Sequence, residues 1–141
     1  MPTSPDHHGG NHVPRAFWSH PLTLLWLGAW VGLFIITHIP VPAGTPIPRG
    51  GDKVLHFVAY FVLTMLGGRA ALGRGRSITV AWAVVWAVIY AAYGAADELI
   101  QPLVGRTLAM GDWLADVGGV VAAMAILLTY HRPGGDSTAR V

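Results

Sequence analysis

Charged residues are scarce in this sequence, and cysteine is absent. Only 11% of the 141 residues are Asp, Glu, Lys or Arg, whereas 53% are apolar. A soluble domain carries about 25% charged residues. There is too little charge here to cover a water-facing surface, so we expect a surface that faces lipid. The absence of cysteine excludes disulfides, thiolate nucleophiles and metal sites with Cys ligands.

The basic residues form no concentrated patch. Nine Lys and Arg residues are scattered between apolar runs, and the net charge is only +2. Nucleic-acid-binding proteins cluster their basic side chains on one face. We therefore predict no nucleic-acid partner.

Four apolar stretches, separated by segments rich in Pro, Gly or Arg, predict four transmembrane helices. A spanning helix needs about 17–25 residues, and the stretches are 20–39, 52–72, 78–96 and 112–130. Pro102 is expected to end the third helix, and the loops 40–51 and 102–111 join the helices in pairs. The sequence thus predicts an all-α, integral membrane four-helix bundle over 18–131, between a disordered N-terminal tail (1–17) and a flexible C-terminal tail (132–141).

A signal peptide is the alternative interpretation of the first stretch. Val41-Pro42-Ala43 resembles a cleavage site. The apolar stretch is longer than the roughly 7–15 residues of a signal, and the tail before it is weakly basic. We therefore favour a retained helix.

The distribution of basic residues predicts the orientation of the bundle. With the N-terminus in the cytoplasm, six basic residues lie on the inner side and three on the outer side, which fits the positive-inside rule. Both termini are then cytoplasmic, and the loops 40–51 and 102–111 face outward. The inner set is Arg15, Arg69, Arg74, Arg76, Arg132 and Arg140, and the outer set is Arg49, Lys53 and Arg106.

Five of the seven acidic residues fall at this outward end of the predicted helices, and they are Asp52, Asp97, Glu98, Asp112 and Asp116. Residues three or four apart share one face of a helix. The spacing therefore predicts three polar stripes that rise toward one surface. They are Asp52, His56 and Tyr60 on the second helix, Tyr90, Tyr93, Asp97 and Gln101 on the third, and Asp112, Asp116, Gly119 and Ala123 on the fourth.

Ionisable groups inside a bilayer are costly and pair with one another in the bundle interior. We expect Arg106 to be the counter-ion of Asp97, Asp112 or Glu98, because a guanidinium binds a carboxylate through two parallel hydrogen bonds. The predicted ligand-binding set also includes Asp52, Lys53, His56, Tyr60, Tyr93, Gln101 and Asp116. Structural roles remain the alternative, since first-turn acids favour helix N-termini.

Three further patterns have simpler interpretations. Gly28 and Gly32 form a GxxxG, which we attribute to packing within the chain, with a homo-oligomer contact as the alternative. His38, at the end of the first helix, is interpreted as an interfacial residue. Four tryptophans at helical spacing, Trp26, Trp30, Trp82 and Trp86, are interpreted as packing or lipid-facing residues.

Three motifs in order resemble those of VanZ-like membrane proteins. They are Asp52-Lys53-Val54-Leu55-His56-Phe57 with Tyr60, then Asp97-Glu98-Leu99-Ile100-Gln101 followed by Arg106, and last Asp112-Trp113-Leu114-Ala115-Asp116-Val117-Gly118-Gly119. The resemblance covers about residues 20–130, with Asp116 where Asn is more usual. It implies a bacterial four-helix membrane protein of the cell envelope. The founding member of the family is associated with reduced susceptibility to the antibiotic teicoplanin.

The residues leave several functions open. The first is an outward polar pocket that binds a lipid headgroup, a cell-wall precursor or an amphiphilic drug. The second is an enzyme acting on a lipid-linked phosphate, with His56, Asp97 and Asp112 as candidate catalytic residues. The third is a structural or assembly partner, and transport is a weaker fourth. We assign no cofactor and no metal, although carboxylates at 52, 97, 98, 112 and 116 leave a divalent cation open.

Overall fold

The computed structural model describes residues 21–40 and 50–130, and every regular element within them is helical. The elements are α1 (Pro21–Thr37), α2 (Gly51–Gly73), α3 (Val80–Ile100), a 3-10 helix (Gln101–Val104) that continues α3, and α4 (Met110–Tyr130). The predicted all-α class is confirmed. Both predicted tails and the loop residues 41–49 lie outside the described residues.

Three of these helices are long and apolar enough to cross a membrane. They are Gly51–Gly73, Met110–Tyr130 and the combined helix Val80–Val104. The helix α1 is apolar but has only 17 described residues. It ends two residues before its predicted limit, because the residue before Pro40 is disfavoured in the helical conformation.

The side chains on the outer surfaces of the helices support a lipid environment. Large apolar side chains remain exposed along all four helices, and among them are Val31, Ile36, Val54, Leu55, Val84, Val88, Leu114 and Val121. Contiguous apolar surface of this extent is rare on soluble monomers and marks a membrane or protein contact. Together with the three apolar helices, this surface indicates a membrane protein.

The central contact of the fold is between α2 and α4. A Cβ atom added to Gly119 would collide with the backbone oxygen of Phe57 and lie 2.9 Å from the backbone nitrogen of Phe61. Only glycine permits such a close approach of two helix backbones. This contact lies one turn from His56 and Asp116, so it fixes the distance between the polar stripes of α2 and α4.

Neighbouring helices run antiparallel around this pair. The helix α3 packs against α4, and α1 packs against α2. As a result α2 and α4 begin where α1 and α3 end. The polar residues predicted for three helices therefore lie at the same end, whereas the other end is built from aromatic side chains and Arg74.

The prediction that Pro102 ends the third helix is wrong in detail. The α-helical hydrogen bonds stop at Ile100, but the chain continues as a 3-10 helix through Pro102. Proline is tolerated in the first turn of a helix, where its missing N–H has no partner to lose. Gly105 ends the 3-10 helix in the left-handed conformation, with φ at 78°.

The glycines of the GxxxG do not pack within the described part of the chain. A Cβ atom added to Gly28 or Gly32 would meet no atom within 4 Å. Residues 21–40 and 50–130 therefore give no support to our attribution of this motif to packing inside one chain. A contact with a second copy through Gly28 and Gly32 stays a prediction.

Candidate functional site

The centre of the polar end is a histidine held between two carboxylates. His56 Nδ1 lies 2.9 Å from Asp116 Oδ1, and its Nε2 lies 3.9 Å from Asp112 Oδ2. All three side chains are buried. With a proton on Nδ1, His56 donates to Asp116 and turns the lone pair of Nε2 toward Asp112. The Asp116 carboxylate thus fixes both the ring orientation and the tautomer of His56.

The cation of this cluster is Lys53 and not Arg106. Lys53 Nζ donates to Asp112 Oδ1 at 2.8 Å and to Asp52 Oδ2 at 3.3 Å. The side chain reaches Asp112 by crossing Gly111, where a Cβ atom would lie 2.9 Å from Lys53 Cε. Because Gly111 has no side chain, Lys53 can pass over it and reach Asp112.

Our expectation that Arg106 neutralises Asp97, Asp112 or Glu98 is wrong. Among the described residues Arg106 forms no ion pair with a carboxylate within 4 Å. Its backbone N–H caps the 3-10 helix by donating to the Gln101 carbonyl oxygen. Arg106 follows Gly105, which ends the 3-10 helix in the left-handed conformation, and its side chain is partly exposed.

Asp97 joins the end of α1 to the end of α3. Its Oδ1 accepts from the Thr37 hydroxyl at 2.9 Å, and its Oδ2 accepts from Gln101 Nε2 at 3.2 Å. His38 Nδ1 lies 3.5 Å from the same Oδ1. The carboxylate is only 3% exposed, and its described contacts account for both oxygens.

Glu98 ties the loop before α4 to α3. Its Oε2 accepts from the backbone N–H of Ala109 at 2.8 Å, and its Oε1 accepts from Gln101 Nε2 at 3.3 Å. From helical spacing alone Glu98 lies about a quarter turn from the stripe of Asp97 and Gln101. The structure nevertheless buries it in the cluster, because the loop folds back over the end of α3.

Several buried polar atoms beneath the cluster have no hydrogen-bond partner in the described part of the chain. They include the hydroxyls of Tyr60 and Tyr93 and Oδ2 of Asp116. The Tyr60 hydroxyl and Asp116 Oδ2 converge on Gly94, where a Cβ atom would lie 3.1 and 3.0 Å from them. An unpaired buried polar atom costs about 1–3 kcal/mol, so these atoms are expected to serve something besides folding.

The remaining predicted residue, Asp52, lies at the rim. Its side chain is 38% exposed, and Lys53 is its only ion-pair partner among the described residues. It therefore lies apart from the buried set of His56, Asp97, Glu98, Asp112 and Asp116. The structure brings those five and Gln101 together and leaves Asp52 and Arg106 on the outside.

Sequence reasoning missed the contribution of α1. Thr37 and His38 both contact Asp97, although His38 was interpreted as interfacial. The available signal was the position of Thr37 and His38. This polar pair ends an uncharged apolar run, and the end of one spanning helix lies on the same side of a membrane as the start of the next.

The geometry allows two kinds of chemistry. His56, with one nitrogen held by Asp116 and the other facing Asp112, is arranged as an oriented acid or base. One ring nitrogen of His56, Glu98 and Asp112 offer three ligand atoms that all lie within 4.8 Å of one another. The cluster can therefore accept a proton, a hydrogen-bonding group or a cation.

No protein-family model, curated protein or solved structure matches this chain. The VanZ-like resemblance therefore stays a prediction from the three motifs.

Proposed function

We propose that this chain is a multi-pass protein of the bacterial cell membrane whose polar cluster binds the anionic headgroup of an amphiphile at the outer surface. The observation that carries the proposal is the convergence of His56, Asp97, Glu98 and Asp112, from three helices, at one end of an otherwise apolar fold. Burial of such groups in a membrane protein costs several kcal/mol unless they are paired, and it usually marks a functional site.

The outward orientation of the cluster is part of the proposal. Arg69, Arg74 and Arg76 lie at the opposite end of α2 or just after it. Basic residues near helix ends favour the cytoplasmic side. An excess of arginine at the aromatic end therefore supports a cluster that faces the periplasm or the cell exterior, with both termini in the cytoplasm.

Lys53 and Arg106 are the proposed contacts for an anionic headgroup. The side chain of Lys53 is 48% exposed, so it can exchange Asp52 for a ligand oxygen while Asp112 continues to orient it. Arg106, half-exposed and without an ion pair to any described carboxylate, has its donors free for a phosphate. The buried acids set the position of these cations and do not contact the anion themselves.

The VanZ-like motifs support a role in the cell envelope. A cell-wall precursor carries a phosphate on a lipid chain, which fits an anionic headgroup beside an apolar helix surface. We also propose that the protein changes the susceptibility of the cell to glycopeptide antibiotics. This effect would follow if the bound headgroup belonged to a cell-wall precursor.

The direct test compares two lipids that differ only in the phosphate. Purified full-length protein in detergent is titrated with a short-chain phosphatidic acid and with the diacylglycerol of the same acyl chains, and binding is followed by thermal stability. We expect stabilisation by phosphatidic acid alone. Inorganic phosphate in a third titration separates recognition of a free phosphate from recognition of a lipid.

One lysine variant and one arginine variant, both in α2, make the test specific. Lys53→Gln removes the proposed contact and is expected to weaken phosphatidic-acid binding about tenfold, the equivalent of one charge-assisted hydrogen bond. Arg69→Gln removes an exposed cation at the other end of α2 and should leave binding unchanged. Equal binding of both lipids, or equal loss in both variants, would contradict the proposal.

A lipid-phosphate hydrolase is the second candidate, favoured by the orientation of His56. In such a reaction Nε2 of His56 takes a proton from water, whose oxygen attacks phosphorus, and the proton later returns to the leaving ester oxygen. Phosphate release from phosphatidic acid that disappears in His56→Gln would support this candidate. Binding of phosphatidic acid without release of phosphate would reject the hydrolase and leave binding as the proposed function.

A further inference from the structure

We propose that His56, Glu98 and Asp112 form a binding site for a first-row divalent metal ion such as Zn²⁺ or Mn²⁺. One atom from each of these residues lies within 4.8 Å of the other two. The residues come from α2, α3 and α4, so the site exists only when all three helices are packed. This inference goes beyond the headgroup proposal and does not depend on it.

The ligand types select the class of ion. An imidazole with two carboxylates is a mixed nitrogen and oxygen set, which suits Zn²⁺, Mn²⁺ or Fe²⁺ better than Ca²⁺ or Mg²⁺. Ligand atoms at about 2.1 Å from Zn²⁺ in a tetrahedral site lie about 3.4 Å apart. The described ligand atoms lie within 4.8 Å of one another, so the three side chains must draw closer together to bind the ion.

The orientation of His56 matches that of a metal ligand. A histidine that binds a metal usually donates its other ring N–H to a carboxylate. Asp116 Oδ1 is that carboxylate, 2.9 Å from Nδ1, which leaves Nε2 directed at Asp112. Asp112 Oδ1 is occupied by Lys53, and its Oδ2 is the oxygen that faces His56.

Glu98 keeps acceptor capacity for an ion even though both of its oxygens accept hydrogen bonds. Each carboxylate oxygen has two lone-pair sites, and the structure assigns one partner to each, Gln101 and Ala109. Those partners fix the carboxylate at the end of α3. Glu98 is therefore a pre-oriented ligand and not a mobile surface acid.

A second, independent observation points to a ligand at this place. The Tyr60 hydroxyl and Asp116 Oδ2 are fully buried and have no hydrogen-bond partner within the described residues. They lie beside Gly94, one helical turn before Glu98, and so leave hydrogen-bonding capacity next to the carboxylate that orients His56. Three protein ligands leave a metal position open to a further group.

Charge balance favours the same conclusion. Four carboxylates are buried at this end, from Asp97, Glu98, Asp112 and Asp116, while Lys53 is the only Lys or Arg that pairs with any of them in the described part of the chain. A divalent cation would offset the excess negative charge, which a low-dielectric environment makes costly.

The test uses Zn²⁺ alone, without lipid, and full-length protein that has been stripped with a chelator. Histidines at 7, 8 and 12 are a competing source of binding, so titrations are also made on a full-length variant with these three replaced by Ala. We expect one Zn²⁺ per chain to remain bound in that variant. Zn²⁺ binding that disappears with the three tail histidines would overturn the proposal.

Substitutions then assign the ligands. His56→Gln, Glu98→Gln and Asp112→Asn should each abolish the remaining Zn²⁺ binding, and Asp116→Asn should weaken it about 10- to 100-fold through the orientation of His56. His131→Gln in the same background is the matched control, since it removes a histidine that is not one of the three proposed ligands and should leave the internal site unchanged. Unchanged Zn²⁺ affinity in correctly folded His56→Gln and Asp112→Asn would reject the site.

A measurement on the unmutated protein covers the case in which these variants fail to fold. Mn²⁺ broadens the amide signals of residues near it in nuclear magnetic resonance spectra. Broadening centred on residues 56, 98 and 112 is expected. Broadening confined to residues 7–12, or absent throughout, would contradict the proposal even if every variant were unfolded.

Discussion

The two ends of the helix assembly differ in the hydrogen bonds that their buried polar side chains form. At the aromatic end, Trp26 Nε1 donates to the Tyr90 hydroxyl at 3.0 Å, and Arg74 donates to the Thr23 hydroxyl. At the cluster end, Tyr60, Tyr93, Asp116 and His38 each keep a buried polar atom without a partner in the described part of the chain. The aromatic end thus forms side-chain hydrogen bonds between its own helices, whereas several buried polar atoms of the cluster end form none among the described residues.

This difference underlies the proposal that the cluster end binds a ligand. The aromatic end combines its hydrogen bond with dense ring packing, since the rings of Trp26 and Trp86 meet edge to face with centroids 5.4 Å apart. Burial lowers the pKa of the Arg74 guanidinium, and the positive charge of Arg76 acts in the same direction. These contacts join α1, α2 and α3 around a small cavity between the rings and Arg74.

The largest expected effect concerns which side of the membrane each end faces. Thr107→Cys and Ser77→Cys place a thiol in an exposed position at the cluster end and the aromatic end, and the chain has no other cysteine. We expect a membrane-impermeant reagent to label position 107 in intact cells and to label position 77 only after lysis. Labelling of both positions in intact cells, or of position 77 alone, would contradict the proposed orientation.

The next effect concerns the contact that holds the two polar stripes together. In Gly119→Ala the new methyl group would collide with the Phe57 backbone, so α2 and α4 must separate. We expect a loss of about 1–3 kcal/mol in the free energy of unfolding, measured by thermal or denaturant unfolding in detergent. Gly28→Ala adds the same methyl group in open space and should change stability far less. Comparable effects of the two substitutions would show that the close approach of α2 and α4 at Gly119 does not determine the stability of the protein.

An effect of the same order is expected for the hydroxyl of the aromatic end. Tyr90→Phe removes the acceptor of Trp26 Nε1 and leaves that buried N–H without a partner. The cost of such a group is about 1–3 kcal/mol. Unfolding should therefore occur at a lower temperature than in the parent protein. A Tyr90→Phe protein as stable as the parent would show that this hydrogen bond does not stabilise the aromatic end.

The smallest effect on stability is expected for the same substitution at the cluster end. Tyr60→Phe removes a hydroxyl that has no partner among the described residues, so folding should change by less than about 0.5 kcal/mol or improve slightly. Binding of Zn²⁺ should weaken instead. Strong destabilisation with unchanged binding would assign Tyr60 to the structure and not to the site.

Much of the helix content and the positions of the polar stripes could be predicted because both are local properties. Apolar runs of sufficient length identified α2, α3 and α4, and the predicted limits 52–72 and 112–130 differ from the described ones by one or two residues. Spacing of four residues placed His56 and Tyr60 on one buried face, and Asp112 and Asp116 on another. The regular period of a helix is the physical reason, since it depends on neighbours along the chain alone.

The partners within the cluster were decided only by the tertiary structure. Nothing in the spacing distinguishes Lys53 from Arg106 as the cation of Asp112, because that choice depends on the empty space above Gly111 and on the turn at Gly105. The same holds for the Glu98 contact with Ala109 and for the Thr37 contact with Asp97. The sequence by itself determined which residues had to leave the lipid, since their chemistry is incompatible with hydrocarbon. The distances between helices, set by glycines such as Gly119, decided which of them meet.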